Sequence, residues 1–245
     1  MLFIVFACWY HIGQAQIINI ESKRISTDTT GFDGSLGVSF SASKFTESFV
    51  AAEALGHVQY KTQKDLFLLM GEFQILSAGG EDFNNSGFGH LRYNRKFSDI
   101  VRGELFTQVQ YNSVTKIELR QLNGIGLRLK LSPYENAKVY WGVAYMYEYE
   151  ELLNPDITNR DHRMSTYFSF TLAPVKTITM KNTTYVQPLF ADFMDYRLAN
   201  NTRLNFGITK NLSFVTTFSF LYDSRPPVEV PNVNYQVNNG LKFNF

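Results

Sequence analysis

The sequence predicts an all-β fold, a transmembrane antiparallel up-and-down β-barrel of about twelve strands, and three observations carry that prediction. The last stretch sets Tyr235, Val237, Leu241, Phe243 and Phe245 on one face and Gln236, Asn238, Gly240, Lys242 and Asn244 on the other. That period of two marks a strand with one apolar and one polar side. Aromatic residues make up 16% of the chain, while no apolar run beyond the N-terminus is long enough for a spanning helix. Enrichment of this kind belongs to the aromatic girdles of membrane barrels. The alternation also recurs in segment after segment, and in hydrocarbon a sheet can span only when it closes and pairs every backbone group.

The chain has 245 residues, enough for one barrel domain. Met1 to Ala15 is apolar from Leu2 to Tyr10 and relaxes into Gly13, Gln14 and Ala15, the small-residue spacing of a cleaved secretory signal. Its positive n-region is missing, since no Lys or Arg precedes Lys23. Cys8 falls in this segment, so a chain cleaved after Ala15 has no disulfide and no thiol chemistry. Residues 16–33 read as a polar periplasmic lead-in, in which Ile17, Ile18 and Ile20 fit a short strand or plug. The barrel is expected from 34 to 245.

Strand by strand, the outward sets begin with Leu36, Val38, Phe40 and Ala42 against inward Gly37, Ser39, Ser41 and Ser43. Val58 and Tyr60 stand opposite Glu53, His57 and Lys61. Phe67, Leu69, Phe73 and Ile75 oppose Glu72 and Gln74. Leu91 and Tyr93 oppose His90, Arg92, Asn94 and Lys96. Val101, Leu105, Val109 and Tyr111 oppose Arg102, Glu104, Gln108 and Gln110. The sixth segment turns Ile117, Ile125, Leu127 and Leu129 outward and Glu118, Arg120, Gly124, Gly126, Arg128 and Lys130 inward. Trp141, Val143, Tyr145 and Tyr147 alternate with Gly142, Ala144 and Glu148. Met164, Thr166, Phe168, Phe170 and Leu172 follow, and then the weakest segment, Thr177 to Gln187, with Thr and Asn on both faces. Leu198, Leu204, Phe206 and Ile208 oppose Arg197, Asn201, Arg203 and Asn205, and Phe214, Phe218 and Phe220 oppose Ser213, Thr217 and Ser219. With the C-terminal stretch the count is about twelve, an even number as bacterial barrels require.

Ser77 to Ser86, Glu150 to Asp161 and Asp223 to Val233 read as long connections after the third, seventh and eleventh strands, so all three share one end of the barrel. Long external loops and short periplasmic turns are the outer-membrane arrangement. The expected location is therefore the outer membrane of a Gram-negative bacterium, with both termini in the periplasm. Outer-membrane lipid is the expected partner, with the barrel-assembly machinery reading the strand that ends in Phe245. The barrel is expected to be monomeric. A formal net charge of +1 leaves no footprint for nucleic acid.

Sorting charges by face gives a lumen lined by Glu53, His57, Glu72, Arg92, Arg102, Glu104, Arg120, Arg128, Glu148, Arg197, Arg203 and Lys242. Lys61, Lys96, Lys130 and Lys181 add to the inward cations, while Glu81, Asp82, Glu150, Glu151, Asp156 and Asp161 go to the loops. The lumen is then basic beneath a more acidic mouth, the lining that favours anions. Facing Arg and Glu side chains are expected to pair, because an unpaired buried charge is costly.

Asn123-Gly-Ile-Gly-Leu-Arg128, Tyr185-Val-Gln-Pro188, Asp195-Tyr-Arg197, Tyr222-Asp-Ser-Arg-Pro-Pro227 and Gly240-Leu-Lys-Phe-Asn-Phe245 together resemble the domain-of-unknown-function family described as salt-induced outer membrane proteins. The resemblance covers about Gly34 to Phe245. It implies an outer-membrane barrel and supplies no catalytic residues.

Three function classes follow: a narrow anion-preferring pore, a non-conducting structural envelope protein of osmotic or salt stress, and an outer-membrane lipid-modifying enzyme. The enzyme is disfavoured, because no Ser in a nucleophile context accompanies His57, His90 or His162. No metal or cofactor motif is present, since the loop carboxylates Asp156, Asp161 and Asp223 lack the spacing of a calcium loop. In Asp223, Ser224, Arg225, Pro226 and Pro227, tandem proline stiffens the chain and fixes the preceding residue as extended. These five residues are expected to lock the last external loop over the mouth. Tags inserted near Asn84, Asn154 or Val228 should therefore be accessible on intact cells, and tags near Asp99 or Tyr134 should not. Surface labelling of the second set on sealed cells would reverse the orientation.

Overall fold

Alternation along the chain resolves into strands, each antiparallel to its neighbours in sequence. The computed structural model describes residues 18–23, 30–132, 134, 136–153, 157–175 and 177–243. The expected signal segment with Cys8, residues 154–156 and the terminal Phe245 lie outside the described residues. One helical turn, α1 (Ile20–Lys23), precedes β1 (Gly31–Lys44), β2 (Ser48–Lys61), β3 (Asp65–Ala78), β4 (Glu81–Lys96), β5 (Val101–Asn112) and β6 (Ile117–Lys130). There follow β7 (Ala137–Leu152), β8 (Ile157–Val175), β9 (Ile178–Pro188), β10 (Tyr196–Gly207), β11 (Leu212–Asp223) and β12 (Val233–Phe243). Together they form a single twelve-stranded sheet in sequence order. The first strand starts at Gly31 rather than at Gly34.

The sheet curls round a shared interior, since residues of β1, β6 and β12 line one cavity and Tyr167 of β8 donates its hydroxyl to Glu104 of β5 at 3.0 Å. With twelve strands, β1 begins and β12 ends at the same end of the cylinder, called here the terminal end. The opposite, distal end carries the two longest connections, 189–195 and 224–232. Two of the three long connections expected from sequence contract. β3 and β4 continue into a two-residue hairpin at Gly79 and Gly80, both with positive φ, and β7 and β8 run on to Leu152 and from Ile157. Asn84 consequently sits within β4 with its side chain buried, and the accessible place there is the Gly79–Gly80 turn.

Outward side chains form an apolar surface, with aromatic pairs at both ends. Phe32 meets Tyr60 with ring centroids 4.6 Å apart and Phe67 meets Tyr93 at 4.9 Å, both toward the terminal end. Tyr196 meets Tyr222 at 5.4 Å toward the distal end. Such girdles place ring edges at membrane–water boundaries. The weakest segment in the sequence owes its outward polarity to a closed cycle of hydrogen bonds. Asn182 Nδ2 donates to Thr202 Oγ1, Thr202 Oγ1 to Asn200 Oδ1, Asn200 Nδ2 to Thr184 Oγ1 and Thr184 Oγ1 to Asn182 Oδ1. Each of the four side chains both donates and accepts, which lowers the cost of turning these polar groups outward.

The inner face departs from the expected pattern at three places. A register shift at Ile117 and Leu119 turns Ile117 inside, 1% exposed, and leaves Glu118 exposed; a bulge displaces side chains from their alternating sides. On β3, Leu66, Leu68 and Met70 point inward and are buried. Ile20 of α1, itself 2% exposed, packs on Leu68 and Met70. The stretch 18–23 thus lies inside the cylinder, with Asn19 Nδ2 donating to the Thr183 carbonyl of β9 at 3.1 Å. Gly142 is no open inward position either, because a Cβ there would stand 2.1 Å from the Tyr167 ring.

Pairing extends from β1 through to β12, and among the described residues none joins β12 back to β1. The inner side chains of β1 are Gly and Ser from Ser35 to Ser43, which offer nothing to fix its register against a partner.

Replacing Leu127, Val143 or Phe218, all outward and exposed, by Arg near the bilayer midplane should cost about 2–4 kcal/mol. Thr217→Asn on the cavity side should be near neutral, whereas Gly142→Val must displace Tyr167 and should destabilise. A refolding titration in lipid checks this; equal sensitivity of Phe218 and Thr217 would invert the register.

Candidate functional site

Because the strands alternate, every second residue projects into one confined space, and charges remote in sequence meet there. Toward the distal end Glu148 of β7, fully buried, gathers three guanidinium groups. Arg120 Nε lies 2.9 Å from it, Arg163 Nε donates at 2.8 Å and Arg197 Nη1 at 2.5 Å. Glu150 pairs with Arg120 and takes Arg197 Nη2 at 3.5 Å. Asp223 accepts Arg197 Nε at 3.0 Å, and Arg163 reaches Asp195 at 3.0 Å and Asp161 at 3.4 Å. Three buried arginines thus face five carboxylates, with the exposed Arg225 4.0 Å from Asp195, and carboxylates are in excess at this end of the interior.

A second cluster lies deeper. Arg92 Nη1 and Arg128 Nη1 each stand 2.8 Å from the Glu21 carboxylate of α1, one at each oxygen. Glu104 lies 3.8 and 3.7 Å from the same two groups. The Arg128 guanidinium lies over the Tyr140 ring at 4.1 Å, a cation–π contact. His90 Nδ1 meets Gln108 Oε1 at 2.9 Å and its Nε2 accepts from Arg92 Nε at 3.3 Å. The amide oxygen only accepts, so His90 is the neutral ring protonated at Nδ1. Phe106 lies over Gly124, where a Cβ would come within 2.2 Å of the ring, and Gly126 abuts the β7 backbone at Val143. Both glycines are packing positions.

A cavity of about 930 Å³ occupies the rest of the interior. Its lining reaches from Thr62 and Lys64 at the terminal end to Ser86 and Asn112 near the distal one. Lys61, Lys64, Lys96, Arg102, Arg128, Lys138, Lys181, Arg203 and Lys242 contribute to it, nine cations against the three carboxylates Glu21, Asp65 and Glu72. Of these carboxylates, Glu21 is held by Arg92 and Arg128, and Asp65 by Arg95 at 2.7 Å.

The structure therefore divides the lumen residues read from sequence. Arg120, Glu148 and Arg197 fall in the distal cluster, Arg92, Glu104 and Arg128 in the central one, and His57, Glu72, Arg102, Arg203 and Lys242 on the cavity. Glu53 is on the inner face of β2 with Oε1 buried and lacking a hydrogen-bond partner. Glu150 and Asp161, expected in a loop, belong to β7 and β8 and point inward, because those strands extend past their apolar portions. Asp223, expected in an external loop, closes β11 and is 1% exposed. Its neighbours clamp the two distal connections together. Tyr196 N donates to Ser224 Oγ at 2.8 Å, Arg225 Nη2 reaches Asp192 at 2.6 Å, and the Pro227 carbonyl accepts Val230 N at 3.0 Å. The Met194 N–H and then Arg225 hold the Asp192 carboxyl below its usual range. That contribution to the clamp is present above the unfolded-state value and is lost as pH falls through the folded one.

Sequence reasoning missed Arg163 and Glu21. The first follows a polar stretch that reads as loop, and the second belongs to the lead-in; the inward apolar run of β3 was the available sign that something apolar enters the lumen. His162 lies on the outer surface against Tyr145, with Tyr145 Oη 2.5 Å from Nδ1. Among the described residues no three His, Cys, Asp or Glu side chains gather as metal ligands.

A family model described as a protein of unknown function, DUF481, matches residues 38–245. The chain belongs to this family. No curated protein matches it in sequence. Among solved structures it is similar to NanC porin, 14% identical over 88% of this chain and 100% of that one with a TM-score of 0.46. It is also similar to KdgM porin, 13% identical over 85% and 98% with a TM-score of 0.44.

Glu148→Gln should leave three buried arginines short of a charge and cost about 3–5 kcal/mol, the range for breaking a buried ion pair. Urea unfolding of the refolded barrel measures this. A change below 1 kcal/mol would show the distal cluster to be hydrated rather than buried.

Proposed function

We propose that this chain is a monomeric outer-membrane barrel forming a narrow, anion-preferring pore. The observation that carries the reading is the cationic excess along a cavity whose lining extends through most of the cylinder. Fixed positive charge in a low-dielectric channel concentrates anions, and rings of Lys and Arg select for them. The buried distal cluster narrows the cross-section, so current should be small. Apolar outward faces with aromatic pairs at both ends support the membrane setting. The sharing of one end by Gly31 and Phe243 supports placing both ends of the sheet on the periplasmic side.

A second reading rests on the same distal cluster. Arg120, Glu148, Arg163 and Asp223 are each at most 2% exposed, and side chains so dry fit a non-conducting structural barrel of the stressed envelope. Planar-bilayer recording of the refolded protein separates the two. The pore reading expects low-conductance, anion-selective steps. Replacing Lys138, Lys181 and Arg203 by Gln should lower the anion-to-cation permeability ratio. Cation-selective steps indifferent to those changes would sink the pore mechanism, and silence at all voltages would favour the structural barrel.

A further inference from the structure

The central cluster is unbalanced without α1. The wall of the cylinder contributes two guanidinium groups, Arg92 from β4 and Arg128 from β6, both nine-tenths buried or more, and one nearby carboxylate, Glu104. Glu104 is itself engaged by Tyr167 Oη at 3.0 Å and Asn94 Nδ2 at 3.3 Å. The surplus positive charge cannot remain unmatched in so dry a place. Glu21 matches it from outside the sheet, bridging both arginines with one oxygen each at 2.8 Å. Two converging guanidinium groups, an aromatic floor at Tyr140 and the Arg128 Nε, buried with no hydrogen-bond partner, make a site built for a planar carboxylate.

We propose that Arg92 and Arg128 form a receptor for the carboxylate of a small anion, and that Glu21 occupies this receptor as a tethered internal ligand. The receptor is reached along the cationic cavity, since Glu21 and Arg128 are both part of that cavity's lining. A free carboxylate entering from the terminal end therefore competes with Glu21, and the anion that wins takes over its charge balance. Ile20 sets the resistance to that exchange, through its contact with Leu68 and Met70. The site does not depend on conduction, and a barrel that passes no current still carries it.

Glu21→Ala removes the atoms that correspond to acetate. Calorimetric titration of the refolded full chain, in a buffer without carboxylates, should show saturable acetate binding to Glu21→Ala at least tenfold tighter than to the parent protein. Acetamide, of the same shape and without charge, should not bind. Glu21→Asp, which retains the carboxylate, should behave as the parent. Thermal denaturation gives a second readout, in which acetate raises the midpoint of Glu21→Ala and acetamide does not. Equal acetate binding by Glu21→Ala and the parent, absence of binding by both, or equal response to acetamide would each overturn the receptor.

Discussion

Removing an ionised side chain from water costs several kcal/mol unless an opposite charge and hydrogen bonds replace the solvent. The interior of this chain is arranged by that constraint. Glu148 can remain charged at full burial only because Arg120, Arg163 and Arg197 come to it from three other strands. Arg120 and Arg163 come from the two strands that flank β7, whereas Arg197 comes from β10, so this last contact ties together strands that share no backbone ladder. Arg197 then carries the network to Asp223 at the end of β11, where Ser224 and Arg225 fasten the last distal connection to residues 192–196. The ion pairs thereby act as crosspieces within a hollow fold whose apolar clusters are small.

Strand number and facing were legible in the sequence because lipid outside and polar groups inside impose a strict period of two. Phe218 outward and Thr217 inward illustrate how far that rule alone reaches. It fails where its premise fails. Glu150 and Arg163 extend β7 and β8 beyond the apolar belt, where outward residues are no longer required to be apolar, and polar strand then reads as loop. Ile117 breaks the period because a bulge adds a residue. Partner choice was out of reach altogether. Facing tells which residues share the interior, whereas the meeting of Glu21 with Arg92 and Arg128 depends on how deeply a separate segment enters.

The same division explains why a near-neutral chain has a polarised interior. Carboxylates outnumber arginines in the distal cluster, and cations outnumber carboxylates along the cavity. An anion approaching from the terminal end meets an attractive field and then, at the distal cluster, a repulsive one. The electrostatic field along the interior is therefore unequal at its two ends, a property that whole-chain charge conceals.

The cycle of hydrogen bonds among Asn182, Thr184, Asn200 and Thr202 has a consequence for how the sequence can diverge. Replacing one member by an apolar residue strands a donor on one neighbour and an acceptor on the other, both on the outer face. Replacing all four by apolar residues strands nothing. Intermediate sequences are thus worse than either end point, and drift at these positions must cross a valley rather than descend a slope. The four side chains act as one hydrogen-bonded unit spread over two strands.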